Sequence, residues 1–264
     1  MPPTPSRPHC LASFPGPVTA FIAGASRGIG LAFVRRLAVG GQARRIWAAC
    51  RDPEAAAALC GLAAEYRAVR ILPLEITDES SHAAAAGIVA AEGEPLNLVI
   101  NCAGLLHRAG GPMPERRLAE VRADWLLEAF AVNGAGPLLL AKHLEPMLPR
   151  RDRAVFASLS ARVGSIGDNR LGGWYAYRGS KAAQNMFLRT LSIELVRRAR
   201  GAVCVVLHPG TTDTDLSRPF QGGVPRHKLF GPDRAVDQLL RVIDGLRPRD
   251  NGRFIAWNGE PIPW

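Results

Sequence analysis

Apolar residues gather in short, nearly unbroken runs, separated by longer stretches in which they alternate with polar ones. The runs VTAFIAG near 18, RRIWAAC near 45, VRILPLE near 70, LNLVIN near 97, AVFASLS near 155, AVCVVLHP near 203 and RFIAW near 254 predict about seven strands. Apolar residues on nearly consecutive positions mean burial on both faces, as in a parallel sheet covered by helices. Between the strands, residues 28–39 alternate aliphatic and basic positions, residues 53–65 are Ala-rich behind Pro53, and residues 78–91 open at Asp78 and close near Gly93. Each of these stretches predicts a helix. Alternating strands and helices imply right-handed crossovers and a doubly wound α/β sheet, whose ligand crevice lies beyond the carboxyl ends of its strands.

No shift in composition marks a second domain, and 264 residues suffice for one α/β unit. The Pro-rich stretch 1–17, MPPTPSRPHCLASFPGP, reads as a flexible lead-in to a single domain over residues 18–264. It lacks the sustained apolar run of a secretory signal, and no run of about eighteen apolar residues predicts a membrane span. The net charge of +10 admits an anionic partner. Its arginines are scattered over the expected helix faces without interleaved aromatics, which argues against nucleic acid and for solvated charge or a phosphorylated cofactor. Five widely spaced cysteines and six histidines without an HxxxH pair predict no metal site and reduced thiols in a cytoplasm.

The first strand runs directly into Gly24-Ala-Ser26-Arg27-Gly28-Ile29-Gly30, which opens a helix. Glycines let a pyrophosphate approach the main chain, and the unpaired N–H groups and dipole of the helix start favour its charge. Ribose selectivity is set at the end of the second strand, where an acidic residue favours a free 2′-hydroxyl and a basic one a 2′-phosphate. Here that strand ends in Arg51, and Arg27 supplies a second guanidinium, so the expected cofactor is NADP(H). The adjacent Asp52 weighs slightly the other way.

Tyr177-Arg-Gly-Ser-Lys181 stands at the start of a long helical pattern, and residues four apart share a helix face. Carbonyl reduction needs a proton for the developing alkoxide. At about 4 Å and an effective dielectric of about 20, an ammonium favours phenolate by roughly 4 kcal/mol. That predicts a Tyr177 pKa lowered by about three units, less whatever desolvation restores.

In these motifs and their order the chain resembles the short-chain dehydrogenase/reductase family from about Val18 to the last strand. AGASRGIG, NCAG at Asn101–Gly104, Asn133 in FAVNGAGP, YRGSK and HPGTTDT at 208–214 carry the resemblance. It implies a single-domain Rossmann-type fold with helices on both faces of the sheet. It also implies that Asn101, Ala103 and Gly104 line the adenosine side, with Glu75 and Ile76 flanking the adenine. Asn133 would anchor a water in a proton relay, Lys181 would also bind the nicotinamide ribose, and Pro209, Gly210, Thr212 and Thr214 would border the nicotinamide. The stretch GSIGDNRLGGWYAYRGSKAA is similar to the C-factor and sniffer-like carbonyl reductases, NADPH-dependent enzymes acting on a small carbonyl or alcohol. The family's homodimer or homotetramer is the implied assembly.

One position departs from the pattern. Aligned on Gly164, the family's catalytic serine falls on Ala161, which leaves Ser160 and Ser165 as substitutes. Strand alternation counts against Ser160 unless the strand has already broken, and Ser165 lies past the strand. The departure admits a second reading, a cofactor-binding regulatory protein with little turnover, and the fold itself also hosts epimerases and dehydratases. Residues 211–231 are placed as a lid, with Phe220 and Leu229 apolar and Arg226, His227 and Lys228 basic.

Overall fold

A computed structural model describes residues 11–108 and 110–264. Among the described residues nine strands form: β1 (Val18–Ala23), β2 (Ala43–Cys50), β3 (Val69–Pro73), β4 (Leu98–Asn101), β5 (Ala154–Leu159), β6 (Ala202–His208), β7 (Thr211–Thr212), β8 (Leu229–Phe230) and β9 (Phe254–Ala256). Seven of them make one sheet in the order β3-β2-β1-β4-β5-β6-β9, parallel throughout. The apolar runs are these seven strands. Strand order reverses between β1 and β4, which opens the crevice there.

The helices are α1 (Gly28–Val39), α2 (Ala57–Glu65), α3 (Glu79–Ala91), α4 (Ala123–Ala129), α5 (Gly136–Leu144), α6 (Tyr175–Arg198) and α7 (Pro232–Gly245). Strand alternation assigns each to a layer. Ile22, Ile100, Val155 and Val205 pack with Phe33 and Leu37 of α1, Leu59 of α2 and Leu239 and Ile243 of α7. Phe21, Val99, Phe156 and Val206 pack on the opposite face with Val89 of α3, Leu140 of α5 and Leu188 and Leu195 of α6. The result is a doubly wound Rossmann-type sheet in a single domain.

Three segments depart from expectation. The helix expected from Pro53 starts only at Ala57, because the Asp52 carboxylate accepts the Ala55 N–H at 3.1 Å and turns the chain first. By contrast Asp78 caps α3, its carboxylate accepting the Ser80 N–H at 2.9 Å. The expected lead-in 1–17 falls partly outside the described residues, as does Cys10. Two of its described residues anchor it while Ala12 and Pro15 to Pro17 are exposed: Leu11 and Phe14 are buried in the α1/α7 layer, and the Arg153 guanidinium lies 4.8 Å over the Phe14 ring.

Residues 211–231 are more ordered than a loop. β7 and β8 pair in parallel, with short 3₁₀ turns at Arg218–Gly223 and Arg226–Lys228 between them. Phe220 turns inward, whereas Arg226, His227 and Lys228 face solvent. The C-terminal tail closes on its own sheet: Pro261 bridges Ile255, Trp264 stacks on Phe254, and the Trp264 carbonyl accepts the Gly167 N–H at 2.8 Å.

Candidate active site

Every motif singled out in the sequence lies at the carboxyl edge of the sheet. The turn from β1 into α1 is built by backbone contact: a Cβ on Gly30 would stand 2.0 Å from the Gly24 carbonyl oxygen, and one on Gly24 would stand 2.7 Å from the Ala103 nitrogen. Only glycine permits either approach. No side chain caps α1 and no acidic residue occupies its first turn, so its leading N–H groups and positive dipole end remain for an anion. This cradle fits a dinucleotide pyrophosphate. Ser26 and Ile29 lie within it, both partly buried.

Just past the end of β2, where the ribose selector is expected, Arg51 is exposed, and no ion pair holds it among the described residues. Asp52 is spent on its own turn. Arg27, the second expected cation, pairs instead with Asp215, just past β7, at 3.3 Å, an exposed contact worth little and readily exchanged. Glu75 and Ile76 follow β3. The Glu75 carboxylate bends back to accept from Thr77 N–H and Oγ at 3.1 and 2.8 Å, while Ile76 is buried against Gly136.

Asn101 is fully buried and holds the turn after β4: its Oδ1 accepts the Ala103 N–H at 3.2 Å, and its Nδ2 donates to Ser158 Oγ at 2.9 Å. Pro209, Gly210, Thr212 and Thr214 follow β6. A Cβ on Gly28 would stand 3.2 Å from Thr214 Cγ2, which sets this segment against the cradle.

Asn133 occupies a π turn, Phe130–Ala135, inserted between α4 and α5. Such wide turns recur at functional positions because they re-aim one side chain. Here the carboxamide clamps the Leu105 backbone, accepting its N–H and donating to its carbonyl, both at 2.7 Å, and also donates to Ser180 Oγ at 2.9 Å.

Tyr177, Ser180, Lys181 and Gln184 form a buried polar stripe along the first turns of α6. Lys181 Nζ donates to the Leu159 carbonyl and to Gln184 Oε1, each at 2.8 Å, and lies 6.0 Å from the centre of the Tyr177 ring. The expectation that the ammonium lowers Tyr177 is therefore corrected. Desolvation by burial raises the phenol well above its ordinary value, and the same burial lowers Lys181 to about 7. Burial disfavours both charged forms, and the ammonium's donors point at other acceptors.

The two substitute hydroxyls separate. Ser165 Oγ accepts the Asp168 N–H at 3.1 Å and is committed to its own turn. Ser160 continues the β5 ladder, its N–H donating to the Leu207 carbonyl at 2.8 Å. It shares the parity of Ser158, whose hydroxyl meets α6, so alternation places Ser160 on the α6 face. Its hydroxyl is buried and has no hydrogen-bond partner among the described residues.

Sequence reasoning passed over several residues. Trp174 alone among the described non-glycine residues has a left-handed backbone, φ 53°, a conformation that costs of order 1–3 kcal/mol and is kept where the surroundings enforce it. Glu115 enforces it: its carbonyl accepts the Trp174 N–H at 2.5 Å, and its buried carboxylate accepts the Ala176 N–H at the start of α6 at 3.2 Å. The indole then meets the Tyr177 ring at 6.2 Å and the Phe220 ring at 5.0 Å, with His107 beyond Phe220 at 5.7 Å. An aromatic wall thus stands beside the phenol. Tyr175, by contrast, is exposed. Two glycines before the tryptophan were the sequence's trace of this turn.

The comparisons with known proteins agree with the geometry. The sequence pattern of the family described as short chain dehydrogenase matches residues 18–223. The chain belongs to the short-chain dehydrogenase/reductase family of oxidoreductases. Within it, the likeness lies with the C-factor and sniffer-like branch. The C-signal of Myxococcus xanthus is 39% identical over 160 residues, which are 61% of this chain and 91% of that protein. An NADPH-bound carbonyl reductase from chicken fatty liver superposes with a TM-score of 0.82 at 33% identity, covering 94% of this chain and all of its own. The carbonyl reductase Sniffer of D. melanogaster has the same TM-score at 28% identity, covering 93% and 99%. No described helix is long and apolar enough to cross a membrane.

His208, at the carboxyl end of β6, is lowered to about 4, first by burial and then by the nearby Arg162 charge, and its Nδ1 has no partner. The unfolded chain takes this proton near its ordinary 6.5. The folded state therefore keeps this contribution to stability above pH 6.5 and loses it as the pH falls through about 4. Urea unfolding between these limits should show wild type losing about 1–3 kcal/mol more than His208→Gln. Parallel curves for the two proteins would contradict this assignment.

Proposed function

We propose that the chain is an NADPH-dependent carbonyl reductase in which Tyr177 gives the proton to the substrate oxygen. The observation that carries the reading is the buried Tyr177–Lys181 pair on one face of α6, at the same sheet edge as the glycine cradle. A reduced nicotinamide dinucleotide held by its pyrophosphate in that cradle would supply the hydride for the carbonyl carbon. The chain's own residues do the rest.

A phenol that burial keeps protonated is a poor base but a sufficient acid toward an alkoxide, so Tyr177 is matched to reduction. Oxidation of an alcohol needs the phenolate, which burial opposes. Lys181 and Asn133 hold the relay behind it. Ser160, whose hydroxyl is uncommitted, is the candidate second donor to the substrate oxygen, with Ala161 standing where the family carries its serine. Trp174 and Phe220 exclude water from the phenol and offer an apolar wall to the substrate.

Arg51, with Arg27 once released from Asp215, supports a 2′-phosphate and hence NADP(H) over NAD(H). Reduced thiols and this cofactor suit a cytoplasmic protein. Leu127 of α4 and Met186, Ile193 and Val196 of α6 are exposed, which supports a second copy as the partner of that face. A second reading, a cofactor-binding protein with little turnover, rests on Ala161 alone.

Purified protein offered NADPH and a panel of aldehydes and ketones should oxidise the cofactor, with Tyr177→Phe slower by about 10²-fold or more. No substrate on which wild type exceeds Tyr177→Phe would refute the enzyme reading and favour the binder. In cofactor titrations, wild type should bind NADPH about tenfold or more tightly than NADH, and Arg51→Asp should narrow or invert that ratio. Tighter NADH binding by wild type would overturn the cofactor assignment.

A further inference from the structure

The buried stripe of α6 continues past Lys181 into a residue that neither the motifs nor the proposed function uses. Gln184 has no solvent exposure, and every polar atom of its side chain is hydrogen-bonded. We propose that Gln184 is a positioning residue, whose carboxamide, oriented by the Leu159 carbonyl and joined through Ser158 to Asn101 and the turn after β4, fixes the Lys181 ammonium against the end of β5. The inference deepens the function proposed above, and its catalytic meaning rests on that reading.

The orientation of each amide follows from its neighbour. The Ala103 N–H can only donate, so the atom of Asn101 facing it is Oδ1, and Nδ2 faces Ser158 Oγ. Gln184 Nε2 donates to the same Ser158 oxygen at 2.8 Å and to the Leu159 carbonyl at 3.1 Å, which leaves Oε1 as the atom turned to Lys181 Nζ. Were the amide reversed, its NH₂ would meet the ammonium and its oxygen would meet the Leu159 carbonyl. The Leu159 carbonyl, which can only accept, therefore fixes the Gln184 amide, and Ser158 Oγ joins that amide to Asn101 and the segment touching the glycine cradle.

A buried ammonium needs fixed acceptors, because bulk water does not surround it. Lys181 has two within the protein, the Leu159 carbonyl and Gln184 Oε1. Its third proton remains for the space above Gly104, where a Cβ would stand 3.6 Å from Nζ and 3.5 Å from Asn133 Oδ1. Gln184 therefore selects which way the ammonium points as well as supporting its charge. The ionisable groups facing Lys181 are Tyr177 on its own helix and Cys102 at the end of β4, both held neutral by burial. From β5 and the π turn come the neutral Ser158, the Leu159 carbonyl and Asn133. Among the described residues no other charged group faces the lysine.

The chain has only three lysines, Lys142, Lys181 and Lys228, and the other two are exposed. Full-length protein labelled with ¹³C at lysine Cε can be titrated by NMR without cofactor or substrate, with the Lys181 signal assigned by its loss in Lys181→Arg. In wild type this signal should titrate near neutral pH. Gln184→Leu removes an acceptor and should move the midpoint down by about one unit, a tenfold change in the ammonium-to-amine ratio. Gln184→Glu places a carboxylate against Nζ and should move it up by about one unit or more.

Opposite shifts in the two variants support the proposal, since a merely structural residue would not produce them. If either variant fails to fold, the other carries the test by its own sign. A midpoint within about 0.3 unit of wild type in a folded variant overturns the proposal. Turnover of Tyr177→Phe with NADPH is measured in parallel. Wild-type turnover by that variant would remove the proposed function while leaving the NMR result, and the positioning of Lys181, to stand or fall separately.

Discussion

The burial of one ammonium group organises this site. Lys181 is enclosed between α6, the ends of β4 and β5 and the π turn, and an ammonium in that position has to be supplied with acceptors by the protein itself. The Leu159 carbonyl, at the point where β5 ends, is one of them, and Gln184 is the other. Because Gln184 is itself held through Ser158 and Asn101, the requirement extends across the sheet to the turn that touches the glycine cradle. One buried charge therefore couples the turns after β1 and β4 to the helix that carries Tyr177. The same enclosure raises the phenol and depresses the lysine, so the pair is tuned by desolvation more than by mutual attraction.

The sheet makes this convergence possible. With β1, β4 and β5 adjacent and parallel, the cradle, the turn after β4 and the end of β5 lie side by side at one edge, and right-handed crossovers deliver α6 over the same edge. Local irregularities then do the fine placement. The π turn aims Asn133, and the left-handed Trp174, pinned by Glu115, sets the start of α6 and brings its indole against Tyr177 and Phe220. Each is a conformation less favourable than a regular helix, concentrated around the phenol, as strain at working sites commonly is.

Much of this was legible in the sequence. The seven sheet strands were visible because a parallel strand buried on both faces must be apolar at nearly every position, and the cradle was visible because only glycine tolerates contacts as close as those at Gly24 and Gly30. Tyr177 and Lys181 were readable as one helix face from their spacing. The direction in which their acidities move was not, because desolvation depends on what the rest of the fold lays over them. Gln184 and Ser158 carried no signal, because the contacts from Ser158 to Asn101 and from Gln184 to Ser158 and Leu159 join different elements. Pro53 suggested a helix start that the Asp52 turn displaced, and proline content suggested a lead-in that Leu11 and Phe14 instead anchor. Where a local rule failed, a contact distant in sequence or a competing side-chain hydrogen bond had overridden it.

The central claim is that this edge of the sheet transfers hydride to a carbonyl carbon while Tyr177 protonates the oxygen. Single-turnover reaction with NADPH deuterated at the transferring position of C4, followed by mass spectrometry of the alcohol, tests it directly. The account predicts one deuterium on the carbinol carbon with wild-type protein and almost none with Tyr177→Phe in the same time. Alcohol formed without deuterium, or deuterium transferred equally well by Tyr177→Phe, would contradict it.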